Sequence, residues 1–303
     1  MKKINFIGSI PAIVTPFKKN GDLDLPALEK LVEYQLEGGV DGIVVAGSTG
    51  EAATLNDQEY TKVIETVVKK VSKKVPVIAG AGSNDTKKAV HFSKLAERAG
   101  ADGLLHVTPY YNKPTPNGLV SHYKEIAKAV DMPIIIYNVP GRTGSNVSPQ
   151  VIVRIAREVP QVLAVKEASG SLNQMMEIIG EVEKNGPKDF IVLAGDDAIA
   201  LPLIAVGGKG CISVVCNEVP KLFSDMIHLA LGGKIKEAQK LHYTLLNLMN
   251  INFIESNPIP VKAAMSMMGF IDESLRLPLT TIEEKNRVLV EKALKELGLI
   301  KAK

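Results

Sequence analysis

Lys166 is the residue in this sequence best placed for covalent chemistry. It directly follows the apolar run Val162–Val165, whereas most other lysines occur in charged stretches such as Lys69-Lys70. If the run is a strand that ends inside a barrel, the interior desolvates the amine and favours its neutral, nucleophilic form. Such an amine condenses with ketones to form a Schiff base. A salt bridge to Glu167 or to another carboxylate is, from the pattern alone, an equally good interpretation.

Hydroxyl groups follow other apolar runs and could assist that chemistry. Tyr137 ends one run, and its phenol could move protons to and from a carbinolamine and an imine if another hydroxyl supported it. Ser48 and Tyr111 are candidates for such a hydroxyl chain. Tyrosines also cap barrel ends for purely structural reasons, so the pattern leaves both interpretations open.

Two segments have the chemistry to bind an anion. The turn Gly47-Ser48-Thr49-Gly50 could offer backbone N–H groups to a carboxylate or phosphate, or could simply start a helix. Arg142 lies in a Pro-Gly-Arg-Thr-Gly segment, where a guanidinium could hold a carboxylate through two hydrogen bonds or remain solvated.

The sequence predicts neither a metal nor an organic cofactor. Asp196-Asp197 could suggest a metal, but the five histidines are never three or four residues apart. The glycines of Gly80-Ala81-Gly82 and Gly207-Gly208 lack the context of dinucleotide or Walker sites, and we interpret them as turn glycines.

The composition is that of an ordinary globular protein. Of the 303 residues, 46% are hydrophobic and 23% are charged, and the net charge of +3 comes from scattered basic residues, which predicts no nucleic-acid or polybasic membrane contact. No apolar run approaches the roughly 18 residues of a membrane span. Two cysteines, Cys211 and Cys216, are too few for a disulfide scaffold. We therefore expect a reducing, cytoplasmic environment.

Eight short apolar, β-branched runs recur along the first three quarters of the chain, and stretches with helical periodicity separate them. Runs that are apolar throughout predict strands buried on both faces, and eight strand-then-helix units predict a parallel (β/α)8 barrel over residues 1–231. A doubly wound sheet is the main competitor. Residues 232–303 carry only helical patterns and are predicted to form a C-terminal helical extension. The runs begin near Ile10, Gly42, Val75, Gly103, Pro133, Val162, Phe190 and Gly210.

The residues that follow these runs resemble one family over essentially the whole chain. Gly47-Ser-Thr-Gly-Glu51 and the lysine after the sixth run are similar to the pyruvate-dependent class I aldolases, the superfamily of N-acetylneuraminate lyase. Three more selective motifs, Thr108–Pro114, Tyr137–Gly144 and Lys166–Gly170, resemble the dihydrodipicolinate synthases within it. Asn257–Lys262 and Arg276–Leu279 extend the resemblance into the last quarter of the chain.

That resemblance implies an enzyme that condenses pyruvate with L-aspartate-4-semialdehyde to give 4-hydroxy-tetrahydrodipicolinate, the first committed step of diaminopimelate and lysine biosynthesis. By the same resemblance, Lys166 forms the imine with pyruvate and Tyr137 is the general acid and base. Ser48 and Tyr111 complete a proton relay, with Tyr111 reaching in from a neighbouring subunit of a homotetramer built from two tight dimers. Ser48 stands where many members have threonine, which also supplies a hydroxyl.

The resemblance also implies the residues that bind the substrates. Thr49 and the adjacent backbone should hold the pyruvate carboxylate, Gly195 and Ile212 should line the pyruvate pocket, and Arg142 should receive the carboxylate of the semialdehyde. The alternatives are another Schiff-base aldolase, acting on N-acetylneuraminate or a 2-keto-3-deoxy sugar acid, and a non-catalytic barrel that binds a keto acid. A metal-dependent lyase is disfavoured by the histidine spacing.

One group of positions departs from the members that lysine inhibits. Those members carry histidines and a glutamate at the effector site, where this sequence has Asp57, Tyr60 and Lys88, with Asn84 and Tyr110 retained. A cation at position 88 would repel the ammonium group of lysine. We therefore predict weak or absent feedback inhibition by lysine.

Overall fold

Eight parallel strands form the centre of the molecule, in the order β1-β8-β7-β6-β5-β4-β3-β2. The computed structural model describes residue 4 and residues 6–301. A bridge between Ala12 and Val44 joins the first and second strands and closes the sheet into a barrel. The predicted (β/α)8 barrel is therefore confirmed. The strands are β1 Gly8–Pro11, β2 Ile43–Val45, β3 Val77–Gly80, β4 Gly103–Val107, β5 Ile134–Asn138, β6 Val162–Glu167, β7 Ile191–Ala194 and β8 Gly210–Ser213.

The helices surround the barrel, and several begin where the sequence supplies a cap. Asn56 and Glu59 form a capping box at the start of α2, and proline lies in the first turn of α4 and α6. None of the described helices is long and apolar enough to cross a membrane. They are α1 Leu25–Glu37, α2 Asp57–Val71, α3 Thr86–Arg98, α4 Pro116–Ala129, α5 Pro140–Thr143, α6 Pro149–Glu158, α7 Leu172–Asn185, α8 Ala200–Ala205, α9 Pro220–Leu231, α10 Ile235–Ile251, α11 Ile259–Met267 and α12 Glu284–Glu296.

Both faces of the barrel strands are buried, as the continuous apolar runs predicted. Ile135, Ala164 and Ile212 point into the barrel, where they pack in one cluster. Their strand neighbours, such as Ile136 and Val165, point outward and pack with the helices in the main core. Because side chains alternate along a strand, this arrangement decides which polar residues at the strand ends face the barrel interior.

The C-terminal helices pack against the barrel and return to the loops at its carboxyl-terminal end. Helix α10 contacts α8, α9 and α12, and α11 contacts α12 and the short 3-10 segment Val215–Asn217. The segment between α10 and α11 therefore lies beside the loops that follow the strands. The domain boundary at residue 231 stays a prediction.

Candidate active site

The side chain of Lys166 points into the barrel at the end of β6. It lies two residues after the inward-facing Ala164, is only 5% exposed, and pairs in register with Tyr137 of β5. The amine Nζ is 4.3 Å from the centroid of the Tyr137 ring. Glu167 points to the other face of the sheet, where the Asn138 side-chain amide donates to its carboxylate at 2.9 Å. The alternative of a Lys166–Glu167 salt bridge is therefore not realised.

Gly195, which follows β7, leaves the space that the Lys166 side chain occupies. A Cβ atom at position 195 would lie 3.0 Å from the Cε of Lys166 and 2.6 Å from the Cβ of Ala168. Real Cβ atoms essentially never approach another atom as closely as 2.6 Å, and 3.0 Å is already tight. The side chain of Ala168 therefore requires glycine here, the Lys166 side chain adds to the crowding, and no unusual backbone angle is involved.

A cavity of about 290 Å³ opens at this end of the barrel. Six of the eight predicted site residues line it, namely Ser48, Thr49, Tyr137, Arg142, Lys166 and Gly195. Ile212 does not line it. Its side chain is fully buried in the interior cluster, and Val214 reaches the cavity instead.

The loop after β2 holds Ser48 and Thr49 in two successive tight turns. Gly50 N–H donates to the carbonyl of Gly47, and Glu51 N–H donates to the carbonyl of Ser48, each at 3.1 Å. Glu51 has a positive φ of 52°, a backbone region that few non-glycine residues adopt, so the loop needs support from outside. Thr49 is buried and Ser48 is exposed, which presents two hydroxyl groups at different depths.

Support for that loop comes from the C-terminal extension. The fully buried amine of Lys262 forms an ion pair with the Glu51 carboxylate, which also accepts a hydrogen bond from the Arg276 backbone at 3.0 Å. The guanidinium of Arg276 binds the Glu59 carboxylate on α2. Burial lowers the pKa of Lys262, while the Glu51 carboxylate opposes that effect.

Asn257 connects the extension to two groups that could bind anions. Its side-chain amide donates to the Thr49 hydroxyl at 2.9 Å, and its backbone carbonyl accepts from the Arg142 guanidinium at 3.1 Å. Sequence reasoning assigned no role to Asn257 or Lys262. The available signal was two polar residues in the otherwise apolar and proline-rich segment 257–263.

Tyr111 lies apart from the other predicted catalytic residues. It is 87% exposed, adopts a positive φ of 69°, and is not among the residues that line the cavity. Within the described part of the chain, no hydrogen bond joins the hydroxyls of Ser48, Tyr111 and Tyr137. The predicted hydroxyl relay is therefore not assembled within one chain.

The two consecutive aspartates after β7 have different surroundings. Asp196 lines the cavity. Asp197 is buried and accepts hydrogen bonds from the backbone N–H groups of Val214 and Val215, so it fixes the end of β8. Burial raises the pKa of Asp197. The described residues contain no group of three or more histidine, cysteine, aspartate or glutamate side chains arranged to hold a metal ion.

A second cavity, of about 570 Å³, adjoins the first and shares Ser48, Tyr137 and Arg142 with it. It also brings together the five positions on which the prediction about lysine inhibition depends, which are Asp57, Tyr60, Asn84, Lys88 and Tyr110.

The comparisons with known proteins show the family to which the chain belongs. The model of the dihydrodipicolinate synthetase family matches residues 5–297. The 4-hydroxy-tetrahydrodipicolinate synthase of Maridesulfovibrio salexigens is 50% identical over 98% of this chain and 100% of its own. The corresponding enzyme of Methanocaldococcus jannaschii is 48% identical over 97% and 100%.

The fold is also similar to solved structures of dihydrodipicolinate synthases. Dihydrodipicolinate synthase from Thermotoga maritima superposes with a TM-score of 0.95 at 45% identity, covering 97% of this chain and 99% of that one. The enzyme from Acinetobacter baumannii, solved in complex with pyruvate, gives 0.94 at 45% identity, with 98% and 100% covered.

A parallel barrel with a buried lysine at its carboxyl-terminal mouth defines the class as that of the Schiff-base barrel aldolases. Within that class, the chain belongs to the dihydrodipicolinate synthetase family. The predicted family and the prediction that the chain is an enzyme are thereby confirmed, and neither a sugar-acid lyase nor a non-catalytic barrel is favoured.

Proposed function

We propose that the 290 Å³ cavity binds pyruvate as an imine on Lys166 and joins it to L-aspartate-4-semialdehyde. The activity is that of a 4-hydroxy-tetrahydrodipicolinate synthase, the first committed step of diaminopimelate and lysine biosynthesis. The observation that carries the proposal is the Lys166 amine, which is buried beside Tyr137, lines a cavity, and makes no ion pair within the described residues.

The first half of the reaction forms the imine. Nζ of Lys166 adds to C2 of pyruvate, the resulting carbinolamine loses one water molecule, and a nitrogen–carbon double bond remains. Each step needs a proton donor or acceptor close to C2. We assign that role to the phenol of Tyr137, which is the neighbour of Lys166 in register and lines the same cavity. Thr49 and the backbone of its loop hold the carboxylate.

The second half forms the carbon–carbon bond and the ring. Loss of a proton from C3 gives an enamine, which attacks the aldehyde carbon, and the aldehyde oxygen becomes a hydroxyl. The guanidinium of Arg142 holds the carboxylate of the semialdehyde. The amino group of the former semialdehyde then attacks C2 and displaces Lys166, so the amine is regenerated.

Two exposed surfaces support the homotetramer that the sequence predicted. Tyr111 projects into solvent with a positive φ, as a side chain does when it completes a neighbouring subunit's site. A second surface exposes Met176 of α7 and Val206, which follows α8. These two elements adjoin, because a Cβ at Gly207 would contact the side chain of Ile179 at 3.6 Å. In the proposed tetramer a neighbouring subunit would cover these apolar side chains.

We also propose a cytoplasmic location. Both cysteines, Cys211 and Cys216, are free thiols that lie buried in the core. Burial raises the pKa of the Cys216 thiol to about 12, so it stays protonated and inert in a reducing compartment. Fractionation of cells of the source organism would test the location.

Borohydride reduction tests the proposed function. Incubation with pyruvate and sodium borohydride should block the amine of Lys166 as a secondary amine, increasing the mass of the Lys166 peptide and abolishing activity. Lys262 is the matched control, because its amine is also buried but is ion-paired. Labelling at Lys262, or no labelling at all, would contradict the proposal. Replacing the semialdehyde with aldoses should give no turnover.

A further inference from the structure

Asn257 is the residue that joins the two proposed carboxylate-binding groups. Its side-chain amide donates to the Thr49 hydroxyl and its backbone carbonyl accepts from the Arg142 guanidinium, and all three residues line the cavity. The residue is 5% exposed. Its side-chain oxygen Oδ1 is buried and has no hydrogen-bond partner within the described residues. Buried amide oxygens are rarely left in that state, so this oxygen is free to accept a hydrogen bond from a ligand or a water molecule in the cavity.

The direction of the Asn257–Thr49 hydrogen bond has a chemical consequence. A threonine hydroxyl has one O–H donor and can accept through two lone pairs. The Asn257 amide donates to Oγ1, and this is the only hydrogen bond that the described residues provide to that hydroxyl. The hydroxyl proton is therefore not consumed by the protein and remains available to an anion in the cavity.

We propose that Asn257 is a positioning residue that makes the Thr49 hydroxyl a hydrogen-bond donor to the carboxylate of pyruvate. This inference rests on the proposed function. Asn257 itself does not react; its amide occupies an acceptor site of the hydroxyl, so that the proton is directed toward the substrate.

The backbone near Asn257 is held by contacts that do not involve its side chain. Lys262 is ion-paired with Glu51, and its amine donates to the carbonyl of Ser274 at 2.8 Å. The N–H of Ile259 donates to the carbonyl of Ser256 at 2.9 Å. Removing the Asn257 amide should thus leave the segment in place, and the Arg142 contact should persist because it uses the backbone carbonyl.

The test is a steady-state comparison of Asn257→Ala and Asn257→Asp with the wild type. Asn257→Ala should raise the KM for pyruvate about 10-fold and leave kcat within about 3-fold, as expected when one substrate-binding hydrogen bond is lost. Asn257→Asp should raise the KM for pyruvate about 100-fold. An ionised carboxylate can only accept hydrogen bonds, so it would accept the one that the Thr49 hydroxyl should donate to pyruvate, and its charge would repel the pyruvate carboxylate. The KM for the semialdehyde should change less than about 3-fold in Asn257→Ala.

A double-mutant cycle separates positioning from general structural damage. In a Thr49→Val background, Asn257→Ala should have no further effect on the pyruvate KM, since the hydroxyl it orients is gone. Equal effects in both backgrounds, or an unchanged pyruvate KM in Asn257→Ala, would overturn the inference. Asn252→Ala is the matched control, because Asn252 is a buried amide of the same region that bonds Glu218 at 2.7 Å and does not line the cavity. It should lower the melting temperature without changing the pyruvate KM.

Borohydride trapping keeps this inference distinct from the proposed function. If the wild-type enzyme fails to trap pyruvate on Lys166, the proposed function fails. If trapping succeeds in the wild type and the Asn257 variants need no additional pyruvate for half-maximal labelling, only the role of Asn257 fails.

Discussion

Two buried lysines lie over aromatic rings in this molecule, yet their surroundings differ. Lys166 and Lys262 are 5% and 0% exposed, and each amine is 4.3 Å from a ring centroid, of Tyr137 and Phe17 respectively. Lys262 is ion-paired with Glu51 and donates to the Ser274 carbonyl. Lys166 lines a cavity and has no carboxylate partner within the described residues.

The difference shows that burial alone does not make a lysine reactive. A buried amine beside a carboxylate keeps its proton and serves as a structural cation. The amine of Lys166 has no such partner within the described residues and faces a cavity, so its nitrogen is accessible to a substrate carbonyl. The two lysines therefore separate catalysis from stability, and variants of each should affect one property and largely spare the other.

The largest effect is expected from Lys166→Met. The variant loses the nucleophile, so kcat/KM should fall by about 10⁴-fold or more, while the free energy of unfolding should change by less than about 1 kcal/mol because no ion pair is broken. Steady-state kinetics and chemical denaturation measure the two quantities. Lys166→Arg should be equally inactive. Residual activity above about one hundredth of the wild type in either variant would contradict the assignment of Lys166 as the nucleophile.

Lys262→Met should have the opposite effect. It leaves the buried Glu51 carboxylate without its cation, which should lower the free energy of unfolding by about 3–5 kcal/mol, as seen when one partner of a buried pair is removed. Urea denaturation measures this loss. Adding Glu51→Gln removes the unpaired charge and should recover part of it. A loss of less than about 1 kcal/mol in Lys262→Met would show that the pair is not structural.

Two buried histidines should make the stability of the fold depend on pH. Burial lowers the pKa of His106 to about 3 and that of His122 to about 4, from an ordinary value of 6.5. Between its lowered pKa and pH 6.5, each histidine binds more protons in the unfolded protein than in the folded one. Their contribution to stability is therefore complete above pH 6.5 and is lost as the pH falls toward 4, by about 1.4 kcal/mol per pH unit for each histidine.

Denaturation midpoints measured from pH 7 to pH 4.5 in the wild type and in His106→Gln test this expectation. As the pH falls, the stability of His106→Gln should decline less steeply than that of the wild type, because the contribution of one histidine is missing. Parallel profiles would mean that the buried imidazole does not resist protonation.

The smallest effect concerns a third lysine, Lys88, which lines the second cavity. Because a cation that lines this cavity would repel an effector ammonium bound there, we expect 1 mM L-lysine to change the initial rate by less than about a tenth. Lys88→Glu is the converse variant and should increase inhibition. Sub-millimolar inhibition of the wild type would refute the prediction.

The sequence predicted the barrel and the position of Lys166 at the end of a strand because both depend on local pattern. Each strand is a short apolar run, and Lys166 directly follows one of them, so alternation along the strand places it inside. For Arg142 and Tyr111 the pattern left a functional and a structural interpretation open, and only the family resemblance chose between them, since a loop arginine or an exposed tyrosine carries no periodic signal.

Other parts of the site depend on contacts between residues far apart in the chain. Asn257 and Thr49 are 208 positions apart, and no local pattern pairs them. Ile212 was expected to line the pocket; its side chain packs in the interior cluster, and its role in binding pyruvate stays a prediction, because the depth of a residue along a barrel strand depends on the stagger of the neighbouring strands.

The contact between Glu51 and Lys262 affects when, during translation, the site can be completed. All eight strands precede residue 214, so a nascent chain has every strand of the barrel well before its last quarter leaves the ribosome. The loop that carries Thr49 receives its ion pair and its Asn257 contact only from that last quarter. We therefore expect nascent chains that lack the extension to bind the keto acid poorly. Activity should then appear only when translation is nearly finished.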